Sequence, residues 1–258
     1  MIAPGELTEL LAFAHHLADL ADALTLPAFR SGLAVERKGD GTPVTEADRG
    51  AEAAVRAAIA DRYPGHAVLG EEHGRLGPDG APTWVVDPID GTRSFVTGNP
   101  VWATLVGLVD DDGVAVSVVS APAMGHRWDG VRGGPARRDG EPIRVSRVGA
   151  LADAQVTFGD LQEFALQGQD DAFTALTGAT VRQRAYGDFW GHCLVAEGVM
   201  DVCAEAIASE WDFTAVRGLV EAAGGRFTTF DGRATAAGGT GLSTNGHLHD
   251  EALAVLRG

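Results

Sequence analysis

Cysteine is nearly absent from this 258-residue chain: Cys193 and Cys203 are the only two, each inside an apolar stretch. Two such thiols give neither a disulfide framework nor a C-x-x-C pair, and a free cysteine in apolar surroundings behaves as a small buried hydrophobe. The chain also lacks an apolar run long enough to span a bilayer, a charged n-region followed by an apolar h-region, and any repeat or low-complexity segment. Those absences point to a cytoplasmic globular protein. Basic residues are scarce as well, 20 against 36 acidic ones, for a formal charge of -16. A field of that sign repels phosphate backbones and anionic lipid, which makes nucleic acid and membrane surfaces poor partners. An acidic protein that acts on an anionic substrate must reverse its field locally, and bound divalent cations do so directly.

What is present is a chain with 45% hydrophobic residues, enough for a full-sized core. Residues 5 to 30 carry apolar side chains at helical spacing and read as an amphipathic helix. A Gly- and Pro-marked loop follows, in which Thr45 stands three residues before Asp48 as a capping pair for an Ala-rich helix to about Tyr63. "HAVLG" and "TWVVD" read as strands ending at Glu71 and Asp87, and "VWATLVGLV" and "GVAVSVVSAP" as a hairpin turning at Asp110 to Gly113. Beyond a Gly-, Pro- and Arg-rich hairpin segment, strands and helices alternate to the closing helix near His249 to Leu256. The pattern is a layered α/β arrangement, one globular unit in two lobes, 1–140 and 141–258. His126 and Arg127 fall in a loop on this reading and receive no role.

Four acidic residues stand where apolar segments end: Glu71, Asp87, Asp90 and Asp212. Strand ends converge on crevices in α/β folds, and carboxylates packed there repel one another unless a cation neutralises them. Hard oxygen donors suit Mg²⁺ or Mn²⁺. In "DPIDGT" Pro88 fixes the chain after Asp87, the Ile89 carbonyl lies between two carboxylates, and Gly91 and Thr92 open a turn whose amides can receive phosphate. Such a set can hold two metals for in-line phosphoryl displacement. Taken singly, each residue has a plainer explanation: Asp90-Gly91 is an ordinary turn and Asp212 a favourable charge at a helix start.

"GEE" at 70 to 72, "WVVDPIDGT" at 84 to 92, and "EWDFTA" followed by "EAAGG" resemble the three signature regions of the inositol monophosphatase family, in order over nearly the whole chain. The resemblance implies an α/β (α+β) fold, a layered αβαβα sandwich, and a metal-dependent phosphatase of small molecules. It implies two or three Mg²⁺ per active site, with Mn²⁺ as a substitute. Glu71, Asp87, the Ile89 carbonyl and Asp90 would hold metal from the first lobe, with Asp212 completing the set from the second. Thr92, Asp48 and Glu71 would be catalytic: a metal-activated water attacks phosphorus in line, oriented by Thr92 with help from Asp48. Asp48 is also explained as a helix cap. Gly91 and Thr92 would receive the phosphate, Lys38 and Asp40 would either close over the site or form a solvated turn, and a homodimer is expected.

The segment "RAYGDFWGHCLVAEGVMDVCAEA" bears on the organic part of the substrate. Asp188 beside Phe189 and Trp190 suits a cationic amine with a flat ring, although the two aromatics also read as helix core. "PVTEADR", "VWATL", "RAYGDF", "CLVAEG" and "TNGHLHDE" resemble the histidinol-phosphate phosphatase branch of the family, which places the activity in histidine biosynthesis. Glu205 matches a family position that contacts the organic part; Arg184 and Asp188 are further expected contacts, Trp211 and Asn245 weaker ones. Inositol 1-phosphate, fructose 1,6-bisphosphate and nucleotide 3'-phosphates are the alternatives. His192 reads as a core residue, and a metal role for His247 and His249 is disfavoured for want of suitable acidic neighbours.

Overall fold

The computed structural model describes residues 2–3, 5–32, 36–37 and 43–258, with 36–37 and 43–44 as backbone only. Lys38 and Asp40, expected to close over the site, lie outside the described residues. The first half comprises α1 (Leu7–Ala28), β1 (Glu36–Arg37), β2 (Pro43–Val44), α2 (Glu46–Arg62), β3 (Ala67–Gly70), β4 (Gly74–Leu76), β5 (Thr83–Asp90) and α3 (Thr92–Thr97). It continues through β6 (Ala103–Asp110), β7 (Gly113–Ala121), β8 (His126–Val131), β9 (Ala136–Arg138) and β10 (Glu141–Ile143). The second half comprises β11 (Gln155–Phe158), α4 (Leu161–Leu166), α5 (Asp170–Gly178), β12 (Arg182–Arg184), α6 (Asp188–Ala196) and β13 (Val202–Glu205). It closes with α7 (Glu210–Ala222), β14 (Arg226–Thr228), β15 (Gly241–Thr244) and α8 (His249–Arg257).

Eight strands form one sheet in the order β10-β9-β8-β7-β6-β5-β3-β4, and five form another in the order β12-β11-β13-β15-β14. Three apolar clusters fill the four interfaces between the layers. In the first, Leu10, Ala14 and Leu17 of α1 and Val55 of α2 pack on Trp84, Val106, Leu108 and Val118 of the large sheet. In the second, α6 and α7 lie between the sheets, with Cys193, Phe213, Val216 and Leu219 meeting Leu105 and Val119 on one side and Cys203 and Phe227 on the other. The third cluster joins Val156, Val202 and Leu242 of the small sheet to Phe164, Leu176 and Leu253 of α4, α5 and α8. Strand alternation produces this division: Leu105 faces one layer and Val106 the other. The result is the expected αβαβα sandwich.

Three features differ from the sequence expectation. His126 and Arg127 begin β8 rather than lying in a loop, and the half-buried Arg127 ties the strand to α1, reaching Asp19 at 2.7 Å and Asp22 at 2.8 Å. Helix α4 and strand β15 were not anticipated, both being short and without a strong period. Strand β5 does not stop at Asp87 but continues to Asp90.

Candidate active site

The continuation of β5 is what assembles the site. In a regular strand, residues three apart point to opposite faces. Here Asp87 pairs with Leu105 and Asp90 with Ala103, so β5 advances three residues while β6 advances two, which is a bulge. Pro88 sits inside it and has no N–H to give to the ladder. Its carbonyl accepts the Thr104 hydroxyl at 2.9 Å, which pins the irregular backbone. The extra residue brings both carboxylates together, and Asp212 joins them from the first turn of α7: one oxygen from each lies within 4.8 Å of the others.

Local hydrogen bonds hold each carboxylate in place. Asp87 Oδ1 accepts the Ile89 N–H at 2.9 Å, Asp90 Oδ2 accepts the Phe189 N–H at 2.8 Å, and Asp212 Oδ2 accepts the Ser209 N–H at 2.6 Å in a capping box. No lysine or arginine pairs with these three among the described residues. Burial, and then the charges of Glu71, Asp90 and Asp212, hold Asp87 well above the usual carboxylate range. Burial and then Asp188 and Asp212 do the same to Asp90. Burial, with Glu71 and Asp188 adding to it, pushes Asp212 up to about 7 despite the Ser209 bond. Hard oxygen donors that raise one another's proton affinity fit a hard divalent cation, which would replace the protons.

Glu71, in the turn after β3, acts electrostatically on Asp87, Asp90, Asp212 and Asp48, but it is not among the three residues whose oxygens lie within 4.8 Å of one another. The Ile89 carbonyl accepts the Thr92 hydroxyl at 3.0 Å, using one of its two lone pairs. Gly91 takes φ +77, and a Cβ there would lie 3.1 Å from the Val101 carbonyl oxygen and 3.3 Å from Asp188 Oδ2. Only glycine satisfies both the conformation and the space. Asp48 is buried at the third position of α2 and accepts both the Thr45 N–H at 2.8 Å and the Thr45 hydroxyl at 2.5 Å. Burial raises it to about 6 against those bonds, and Glu72 and Glu71 add to the rise. The helix-cap explanation of Asp48 is thus seen directly.

A cavity of about 500 Å³ opens from Asp90 and Asp212 toward the small sheet. Asp188 stands at its mouth at φ +53, a strained backbone for a residue with a side chain, and its charge is felt by Asp90, Asp212 and Glu205. Glu205, from β13, lines the inner end; it is buried, its Oε1 has no hydrogen-bond partner, and burial followed by the charge of Asp188 holds it well above the usual range.

Sequence reasoning missed Asp160, Glu163 and Arg93, which also line the cavity. Arg93 lies 3.8 Å from Asp160. Its position directly after "DGT" was an available signal; Asp160 and Glu163 depend on the unanticipated α4. Arg184, an expected substrate contact, lies outside the cavity: it is exposed on edge strand β12, and its Nη1 donates to the Gln183 carbonyl at 2.7 Å. Trp211 is likewise not part of the lining, and Asn245 is structural, its Nδ2 donating to Ser146 Oγ at 2.9 Å and the Val148 carbonyl at 2.8 Å. His192 is a core residue with Nδ1 2.7 Å from Ser243 Oγ, and burial lowers it to about 3. The two ring nitrogens of His249 are held by Thr228 and Thr244.

Comparison with known proteins gives matches over nearly the whole chain. Residues 6–257 match the inositol monophosphatase family. A histidinol-phosphatase of Mycobacterium tuberculosis is 45% identical over 252 residues, covering 95% of this chain and 97% of that protein. One from Streptomyces coelicolor is 44% identical over 256 residues, covering 95% and 96%. The solved structure of an inositol monophosphatase from Zymomonas mobilis superposes with a TM-score of 0.87 at 31% identity, covering 97% of this chain and 98% of that one. A match that runs over residues 6–257, with relatives 45% and 44% identical over 95% of the chain, shows that the protein belongs to the inositol monophosphatase family.

Proposed function

We propose that this phosphoric monoester hydrolase cleaves L-histidinol phosphate to L-histidinol and phosphate in histidine biosynthesis, with Mg²⁺ as its metal. The observation that carries the substrate reading is the acidic cavity beside the carboxylate cluster, with Asp188, Glu163 and an unpartnered buried Glu205 around the space for the organic part. Histidinol phosphate presents an ammonium and an imidazole to those groups, whereas a neutral polyol gives them no charge to meet. The names of the Mycobacterium and Streptomyces relatives point the same way.

Glu71, Asp87, the Ile89 carbonyl, Asp90 and Asp212 would hold the ions, which supply the positive charge for phosphoryl transfer when bound. Thr92 commits its proton to the Ile89 carbonyl, so its Oγ1 lone pairs are left to accept a hydrogen bond from the attacking water. Asp48, raised to about 6 and already accepting from Thr45, is poised to take up a proton near neutral pH. Gly91 and Thr92 receive the phosphate, and Asp188 and Glu205 orient the cationic organic part. The reading includes the lobes 1–140 and 141–258 closing on the site from either side, and a homodimer in solution.

The test is phosphate release from histidinol phosphate, inositol 1-phosphate and fructose 1,6-bisphosphate, with Mg²⁺ and with chelator. Turnover that requires metal and favours histidinol phosphate supports the reading. Inositol phosphate turned over equally well or faster would leave the phosphatase and remove the substrate assignment.

A further inference from the structure

Glu52 is a fully buried carboxylate on α2, one helical turn beyond Asp48, and it lies outside the cluster described above. It reaches across to the turn that follows β3. Its Oε2 accepts the Glu72 N–H at 2.7 Å, and its Oε1 accepts the His73 N–H at 3.2 Å. The His73 ring nitrogen Nδ1 lies 3.1 Å from the same Oε1. On the opposite side Arg56 Nε donates to Oε1 at 2.6 Å, while Arg56 Nη2 donates to the Gly74 carbonyl. Every contact to the turn falls on a residue just beyond Glu71. Before Glu71 stands Gly70, where a Cβ would lie 2.3 Å from Glu52 Oε1. The carboxylate therefore occupies the volume that any larger residue at position 70 would need.

We propose that Glu52 is the positioning residue for Glu71, fixing its distance to the Asp87–Asp90–Asp212 cluster. The inference rests on the reading of Glu71 as a metal ligand. A burial this complete is costly for a carboxylate unless its lone pairs are used, and here the donors that use them belong to the turn beside that ligand. Because Asp48 is on the same helix, α2 carries one site group directly and sets a second through Glu52. Groups that orient a metal ligand from behind typically change metal affinity or activity by about 10- to 100-fold when replaced.

The experiment is calorimetric titration of the full-length protein with Mn²⁺ and no substrate, comparing wild type with Glu52→Gln, Gly70→Ala and Asp90→Asn. Glu52→Gln turns one acceptor oxygen into a donor facing donors, and Gly70→Ala displaces the same carboxylate from the other side. Both are expected to weaken Mn²⁺ binding by about 10-fold or more. The Mg²⁺ concentration for half-maximal turnover should rise in parallel, while KM for substrate at saturating Mg²⁺ stays within about twofold of wild type. Should Glu52→Gln fail to fold by circular dichroism, Gly70→Ala decides alone. Folded variants with wild-type Mn²⁺ affinity, beside an Asp90→Asn protein that has lost it, would overturn the role of Glu52 and spare the metal site. An Asp90→Asn protein that binds Mn²⁺ like wild type would overturn the metal assignment and the role of Glu52 together.

Discussion

Asp90 and Asp201 are both buried aspartates, and the surroundings of the two could hardly differ more. Asp201 accepts the Gln155 N–H at 2.7 Å and the Ser146 hydroxyl, and Asn245 closes the group by donating to the same serine. Its backbone carbonyl takes the Asn245 N–H at 3.1 Å. That network ties the start of β11, the segment after β10 and the turn before α8 into one piece. Asp90 accepts a single N–H, from Phe189, and otherwise faces other carboxylates. A buried polar group whose partners are complete is architecture; one whose neighbours share its sign is waiting for a ligand.

The sharpest break of that comparison is to make the same substitution in both places. Asp90→Asn should lower kcat/KM by at least about 100-fold, because it removes charge from the metal cluster while its remaining oxygen can still accept from Phe189. Asp201→Asn should cost about 1–3 kcal/mol of stability, read from denaturant unfolding, and leave kcat/KM nearly unchanged. Comparable activity losses in both would erase the distinction.

A smaller effect is expected at Glu205. Glu205→Gln should raise KM for histidinol phosphate by about 10- to 100-fold, the worth of a charge-assisted hydrogen bond, with a lesser change for inositol 1-phosphate. Equal changes for the two substrates would detach Glu205 from recognition of a cation.

The pH dependence of stability also separates the two kinds of site. Asp212 is raised from 3.8 to about 7 in the folded, metal-free protein, so between those values the folded state holds a proton that the unfolded chain has released. The cluster therefore costs stability progressively as pH rises through that window. His249, lowered from 6.5 to about 4, has the opposite sign: the unfolded chain takes up a proton first, and stability falls as pH drops from 6.5 toward 4. On the proposed function, Mg²⁺ would act on the first of these and not on the second. The increment in Tm on adding Mg²⁺ should grow as pH rises across the Asp212 window. A pH-independent increment would contradict the cluster's role.

The contrast also explains what could be seen from sequence. Layering was legible because α1 and the strands β5 to β7 carry strong apolar periods, and the carboxylate cluster because "DPIDGT" interrupts such a period with polar residues. The bulge that unites Asp87 and Asp90 was not, since it depends on pairing with β6; the proline was visible, the register shift was not. The surroundings of Arg184 and Asn245 were not visible in the sequence for a related reason. Type and neighbourhood in the chain suited ligand contact, but an edge strand and a satisfied network decide where these side chains go. Glu163 reaches the cavity through tertiary packing of α4, to which no local pattern points, whereas Arg93 directly follows "DGT" and carried a signal.

The most direct test of the central claim, that the Asp87–Asp90–Asp212 cluster is built to be neutralised by a cation, is the Tm of chelator-treated protein at neutral pH, with and without Mg²⁺. Wild type and Asp90→Asn would be compared. The prediction is a Tm for wild type that rises by several degrees with Mg²⁺, and an Asp90→Asn protein that is already more stable without metal and gains little from it. A wild-type Tm indifferent to Mg²⁺, or an Asp90→Asn protein that responds just as fully, would contradict it.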